Sequence, residues 1–303
     1  QIAANISGSF NKGFEFSGTI LGCSPSVWSD GPNMSVARCR ASSWGTQNSA
    51  VAVGAAAADN DQKTEEYNGS AWTNGGDTSV AHTRGYAFGT AITSGVIAGG
   101  TAGPGSTNGI SELYNGTSWS TISSPAADLT AAMYGGAGLG TVNAGLAWGS
   151  VNSGNYNAKW LQIQQFDGEA WASLAPGLVM DKPRTGHMGS GTQNAAILIS
   201  SGYSACESEI WDGTSFKSVA GATAANRGAA AGGGGNSQND AYIAGGNLYA
   251  SPYAQSTCTE EWDGTSWSNR NSLINARSDG SLGDLGTTSA GVVFGGMASP
   301  TVR

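Results

Sequence analysis

The stretch WDGTSF at residues 211–216 places an Asp-Gly pair between two aromatic residues. Asp ties its side chain to nearby turn backbone and Gly tolerates positive φ, so the pair marks a tight turn and the aromatics mark two flanking strands. A two-residue Asp-Gly link predicts a type I′ hairpin, whose twist suits the paired strands. Nearly the same phrase returns as YNGSAW (67–72), YNGTSW (114–119), FDGEAW (166–171) and WDGTSW (262–267). The leading aromatics Tyr67, Tyr114, Phe166, Trp211 and Trp262 are spaced by 47, 52, 45 and 51 residues. A reactive motif seldom recurs in this way, whereas an architectural unit does.

The rest of each period carries its own marks. A run opening near Arg leads to Gly-Thr, as in ARCRASSWGTQN (37–48), RGYAFGT (84–90), RTGHMGSGTQN (184–194) and RSDGSLGDLGTT (277–288). Short apolar runs ending in Gly-Gly follow, such as VIAGG (96–100), YIAGG (242–246) and VVFGG (292–296). Each unit therefore reads as four strands: a (the Arg run), b (apolar), c (Glu-x-aromatic) and d (the Trp after the turn). The 303-residue chain holds 48 Gly and ten Trp with only 11% charged residues, a composition of short strands and many turns. Strand-built periods of about 40–50 residues are those of propeller blades, so one all-β domain over residues 1–303 is expected.

These marks resemble the kelch repeat: the Gly-Gly closing strand b, the aromatic before the c–d turn, the Trp on strand d, and PRTGH at 183–187, similar to the opening of a kelch strand a. The dialect looks like the Gly-rich arrays of bacteriophage structural proteins and secreted bacterial proteins. The resemblance implies a β-propeller with kelch-like four-stranded blades. Complete units fall near 37–76, 83–123, 129–175, 184–220 and 226–271. An a–b pair at 277–296 and a c–d pair within 13–30 remain, and pairing the two ends of the chain would make a sixth blade. A closed ring of six leaves no open sheet edge.

The charge balance narrows the function classes. The formal net charge is −8 and the thirteen Lys and Arg are scattered, so no basic face exists for nucleic acid. No apolar run approaches the roughly 18 residues of a spanning helix, so membrane insertion is not expected. The opening QIAANISGSF lacks the regions of a signal peptide. Cys23, Cys39, Cys206 and Cys258 show no zinc-type spacing. Cys206 and Cys258 precede the aromatics of successive repeats by similar distances, and both a disulfide and two buried thiols fit that placement.

Two charged positions recur. Arg38, Arg84, Arg184, Arg227 and Arg277 open strand a, and Glu65, Glu112, Glu209 and Glu260 lie two before the aromatic of strand c. The blade near 129–175 has neither, its c position being Gln164. Joint loss implies that Arg and Glu form one buried pair in each blade: Arg38–Glu65, Arg84–Glu112, Arg184–Glu209 and Arg227–Glu260. The competing reading is a ring of Arg around the channel that holds an anion. Trp72, Trp119, Trp171, Trp267 and Phe216 read as wedges between blades, with sugar-stacking platforms as the alternative. The sequons at Asn68 and Asn115 sit where other repeats have Asp, and turn chemistry accounts for them.

Catalysis finds little support in the sequence, and no cofactor or metal is expected. Kelch-like copper radical oxidases use paired His and Tyr ligands, and this chain has only His82 and His187. Asp59, Asp61 and Asp128 supply carboxylates but no spacing singles them out for glycoside hydrolysis; Asp59 and Asp61 on a b–c loop would suit a cation. The variable b–c loops carry Tyr156, Tyr203, Tyr249 and Tyr253, side chains suited to binding a glycan or protein. The expectation is therefore a non-enzymatic structural or binding propeller at a virion surface. It would serve as a tail fibre, spike or capsid decoration, meeting host-surface glycan or protein or other virion subunits, and it could form homo-oligomers. The alternative is a secreted, extracellular carbohydrate-binding or adhesion protein, with a galactose-oxidase-like enzyme further behind.

Overall fold

The computed structural model describes residues 27–55, 61–102, 106–124, 126–150, 163–175, 178–180, 188–199, 208–219, 227–248, 254–298 and 301–302. Within them the chain is all-β. Five four-stranded antiparallel units follow one another, each in the order a-b-c-d. Blade I comprises Ala41–Thr46, Ser49–Val53, Thr64–Tyr67 and Trp72–Asn74. Blade II comprises Tyr86–Ala91, Ser94–Ala98, Ser111–Tyr114 and Trp119–Thr121. Blade III comprises Ala137–Thr141, Ala144–Trp148, Ile163–Phe166 and Trp171–Ser173. Blade IV comprises Met188–Thr192, Ala195–Ile199, Ser208–Trp211 and Phe216–Val219. Blade V comprises Gly232–Ser237, Asp240–Ala244, Thr259–Trp262 and Trp267–Arg270. Successive a strands touch one another and so surround the axis. The molecule is a β-propeller.

Five complete blades are seen where the sequence predicts six. The C-terminal a–b region contributes only a short hairpin, Gly286–Thr287 with Ala290–Gly291, beside the a strands of blades V and I. Most of its expected c–d partner, residues 13–26, lies outside the described residues. A short parallel pairing of Ala41 and Ser42 with Ser281 and Leu282 nevertheless ties the C-terminal segment to blade I.

The recurring hairpin is built differently from the type I′ expectation. Tyr67 pairs with Trp72, Tyr114 with Trp119, Phe166 with Trp171, Trp211 with Phe216 and Trp262 with Trp267. Of the turn residues only the Gly has positive φ, close to +91° at Gly69, Gly116 and Gly264. A type I′ turn needs two such residues, so Gly here is the first central residue and Asn or Asp precedes the bend. The Asp212 carboxylate accepts hydrogen bonds from the backbone N–H groups of Thr214 and Ser215, at 2.8 and 2.7 Å. Asn68 does the same for Ser70 and Ala71. These bonds explain why either Asn or Asp serves, since only a carbonyl-type oxygen is required.

Glycine also sets how the blades pack. A Cβ on Gly95 of blade II would collide with the Trp44 ring of blade I, and one on Gly145 of blade III would collide with Phe88 of blade II. An aromatic from one blade thus lies flat on the next blade's backbone, and the apolar clusters fill the seams between blades. Burial of such rings is the largest favourable contribution available to short strands.

Candidate functional site

Where strand a begins, each blade brings a polar group from strand c against the incoming chain. In blade I the fully buried Arg38 donates from Nε to Glu65 Oε2 at 2.8 Å, and from Nη1 to the carbonyls of Gly54 (3.1 Å) and Lys63 (2.7 Å). Glu65 Oε1 also accepts from the backbone N–H and hydroxyl of Ser35, both at 2.7 Å. A buried charge is costly unless paired, and these bonds offset that cost, with Arg38 Nη2 alone of the guanidinium nitrogens buried without a hydrogen-bond partner among the described residues. Burial holds the Arg38 guanidinium below its usual value, and the bond to Glu65 acts in the opposite direction.

Blade II corrects the expected Arg84–Glu112 pair. The partner of Glu112 is His82, whose Nε2 lies 2.8 Å from Oε2 while its Nδ1 lies 2.6 Å from the Gly99 carbonyl. Gly99 matches Gly54, so His82 spans the same two acceptors as Arg38. Burial would raise the Glu112 carboxyl, but hydrogen bonds from His82 and Ser79 outweigh it and hold the group below the usual carboxylate range. In blade III Met133 stands at this position, and Gln164 accepts from the Thr130 N–H (2.7 Å) and hydroxyl (2.8 Å). The freed acceptor finds another donor, for the Tyr86 hydroxyl reaches the Gly149 carbonyl at 2.6 Å. Arg277 repeats the contact of Arg38 with a donation to Gly295 O at 3.4 Å.

The spacing that identifies these residues was present in the sequence. Arg38, His82, Met133 and Arg184 each stand seven residues before the Gly that opens the a–b turn, whereas Arg84 stands five before. Matching by residue type rather than by distance selected the wrong residue. Glu209 and Glu260 are buried on their c strands as in blades I and II. Arg184 and the side chain of Arg227 lie outside the described residues, as do Tyr156, Tyr203, Tyr249, Tyr253, Asp59, His187 and Cys206. Asp61 is half-buried and its carbonyl accepts the His82 backbone N–H at 3.0 Å.

The d-strand tryptophans form a second recurring set, located between blades. Trp119 Nε1 of blade II donates to Thr64 Oγ1 of blade I at 2.9 Å, and Trp171 of blade III to Ser111 Oγ of blade II at 2.9 Å. Blade IV carries Phe216 in place of Trp, and the facing residue of blade III is Ile163 rather than Ser or Thr. Donor and acceptor are lost together. Trp267 and Ser208 occupy the next such pair of positions, and Trp267 Nε1 and Ser208 Oγ are both buried without a hydrogen-bond partner among the described residues. Of these rings Trp171 is buried, while Trp72, Trp119, Phe216 and Trp267 stay partly exposed.

Around the axis, a backbone belt links the residues that precede the inner strands. Arg40 N–H donates to Asp279 O (2.8 Å), Arg84 N–H to Arg40 O (3.3 Å), Gly135 N–H to Arg84 O (2.8 Å) and Asp279 N–H to Ala229 O (2.8 Å). All five residues have positive φ, between +50° and +79°. Arg40 Nε also binds Asp279 Oδ1 at 2.6 Å. Deeper in, the half-buried Asp284 accepts from Gly235 N–H at 2.9 Å, and burial pushes its carboxyl up to about 8. Among the described residues no cluster of His, Cys, Asp and Glu is placed to hold a metal ion.

The architecture defines the class as a β-propeller with four-stranded antiparallel blades. Among solved structures, the chain is similar to the one described as "Structure of YjhT", with a TM-score of 0.69 over 89% of this chain and 93% of that one. Sequence identity between the two is 15%, a level at which the likeness concerns the fold alone. No family model matches the sequence, and no curated protein matches it.

Proposed function

We propose that this chain is a six-bladed, kelch-like propeller that binds rather than catalyses, a bacteriophage virion component that attaches to a host surface or braces neighbouring subunits. The observation that carries the binding reading is the consumption of the recurring polar groups by the scaffold. Arg38, Glu65, His82, Glu112 and Gln164 are engaged by one another and by neighbouring backbone and hydroxyl groups, and the ring nitrogens of Trp119 and Trp171 bind the neighbouring blade. What remains for recognition is the face where the b–c loops and the starts of strand a emerge around the channel mouth. The Gly-rich repeat dialect and low charge motivate the virion assignment.

Trp28 supports the sixth blade. Its Nε1 donates to Thr259 Oγ1 of blade V at 3.1 Å, the bond that Trp119 and Trp171 make to the preceding blade. Trp28 therefore behaves as the d-strand tryptophan of a blade after blade V. It lies in a cleft of about 1200 Å³ between blades V and I, lined also by Tyr67, Trp72, Tyr242 and Phe294. Residues 13–30 are the segment assigned to this place, closing the ring against the C-terminal hairpin.

Mass spectrometry of purified particles of the phage that encodes the chain is the direct test. The chain should be present in the particle, and its purified form should bind host cells saturably. Absence from particles together with no cell binding would sink the virion reading.

A further inference from the structure

At the channel mouth, two neighbouring blades carry an arginine in the backbone belt. Gly135 occupies its place in the belt at positive φ, as suits a residue without a Cβ. Arg40 and Arg84 hold matching places at φ +58° and +59°, and Ala229 and Asp279 do so at +50°, a conformation that costs any residue with a Cβ. A strained position that retains a long charged side chain points to a use for that side chain. The two arginines sit on adjacent blades, joined through Arg84 N–H and Arg40 O. Arg40 is bound by Asp279, whereas the half-buried Arg84 guanidinium has no hydrogen-bond or ion-pair partner among the described residues. Burial, and then the charge of Arg40, hold Arg84 below its usual value, while Asp279 acts weakly the other way.

We propose that Arg84 and Arg40 form an anion site at the axial mouth of the propeller, one that takes the carboxylate group of a small ligand. Among the described residues, two guanidinium groups against the single carboxylate of Asp279 leave one positive charge uncompensated, which matches a monoanion. A phosphate dianion would bring more charge than the site neutralises, close to Asp279. The planar fork of Arg84 is suited to receive both carboxylate oxygens at once. The site differs from an Arg38-type ring, since Arg38 is buried against Glu65 and faces no solvent. It stands independently of the virion assignment.

The test is isothermal titration of the full chain with sodium acetate, sodium glucuronate and sodium phosphate, with sodium chloride at matched ionic strength and glucose as controls. Saturable binding of both carboxylates is expected, with none for chloride or glucose. Arg84→Gly removes the guanidinium and places Gly where φ is positive, so it should melt no lower than the wild type. It should weaken carboxylate binding by about tenfold or more, the worth of a charge-assisted hydrogen bond. Asp279→Asn should tighten binding, because it releases Arg40 and Asn tolerates positive φ. The proposal is overturned by a lack of saturable carboxylate binding in the wild type, by unchanged affinity in Arg84→Gly, or by phosphate binding equal to acetate.

Discussion

Blades I and II build the same corner with different nitrogen-bearing side chains, Arg38 and His82, and blade III builds it with neither. Arg38 bridges Glu65 and the Gly54 carbonyl, His82 bridges Glu112 and the Gly99 carbonyl, and Met133 leaves Gln164 to the Thr130 loop and Gly149 to Tyr86. The common requirement is therefore not a charge. It is that the c-strand side chain meet polar groups from the incoming chain and that the carbonyl of the Gly just after strand b find a donor. A neutral acceptor such as Gln164 is satisfied by loop donors alone, whereas a buried carboxylate is costly unless it is paired and hydrogen-bonded.

Blade III accordingly serves as a template for breaking blade I. Arg38→Met leaves Glu65 buried without its counter-ion and should cost about 3–5 kcal/mol in denaturant unfolding. Adding Glu65→Gln reproduces the pair found in blade III and should recover more than half of that loss. Full recovery is not expected, because the Gly54 carbonyl then lacks the donor that Tyr86 supplies to Gly149, a deficit of about 1–2 kcal/mol. Additive effects of the two changes would show that the residues do not act as a pair.

Asp284 is the opposite case, an inner carboxyl that meets backbone N–H rather than a cation. Its folded value of about 8 lies above the ordinary 3.8, so its stabilising contribution is fully present below the ordinary value and fades as pH rises toward the folded one. Asp284→Asn keeps the acceptor for Gly235 N–H and removes the titration. The variant should match the wild type in acid and exceed it by about 1–2 kcal/mol above the folded value, less than the full shift implies because the side chain still meets solvent. Melting curves across that range are the measurement, and a difference that does not grow with pH would place the cause elsewhere.

The repeat, the four-strand unit and the inter-blade role of the aromatics were legible because each depends on residue type at a fixed interval. The partner of Glu112 was not, because His82 can replace Arg38 only through a geometric equivalence, two acceptors spanned by two nitrogens, that residue type does not announce. The belt round the axis was also hidden: Arg40, Arg84, Gly135, Ala229 and Asp279 share a backbone conformation and almost no chemistry. The hairpin turn was placed correctly but one residue out of phase, since Asn-Gly fits both the two central positions and the pair that begins the bend. The tyrosines of the b–c loops stand outside the repeat, so no interval argument reaches them.

The blade seams offer the smallest and cleanest contrast, because the chain contains both versions of one contact. Trp119 donates to the buried Thr64 hydroxyl, while Phe216 faces Ile163 with no polar atom on either side. Trp119→Phe alone strands the Thr64 hydroxyl in a packed seam and should cost about 1 kcal/mol beyond the lost ring area. Thr64→Val alone strands the indole N–H and should cost about as much. Combining them converts the I–II seam to the kind found between blades III and IV, and the double variant should then be less destabilised than the sum of the single ones by about 1 kcal/mol. A strictly additive cycle would mean that the hydrogen bond contributes nothing and that ring packing alone holds the blades together.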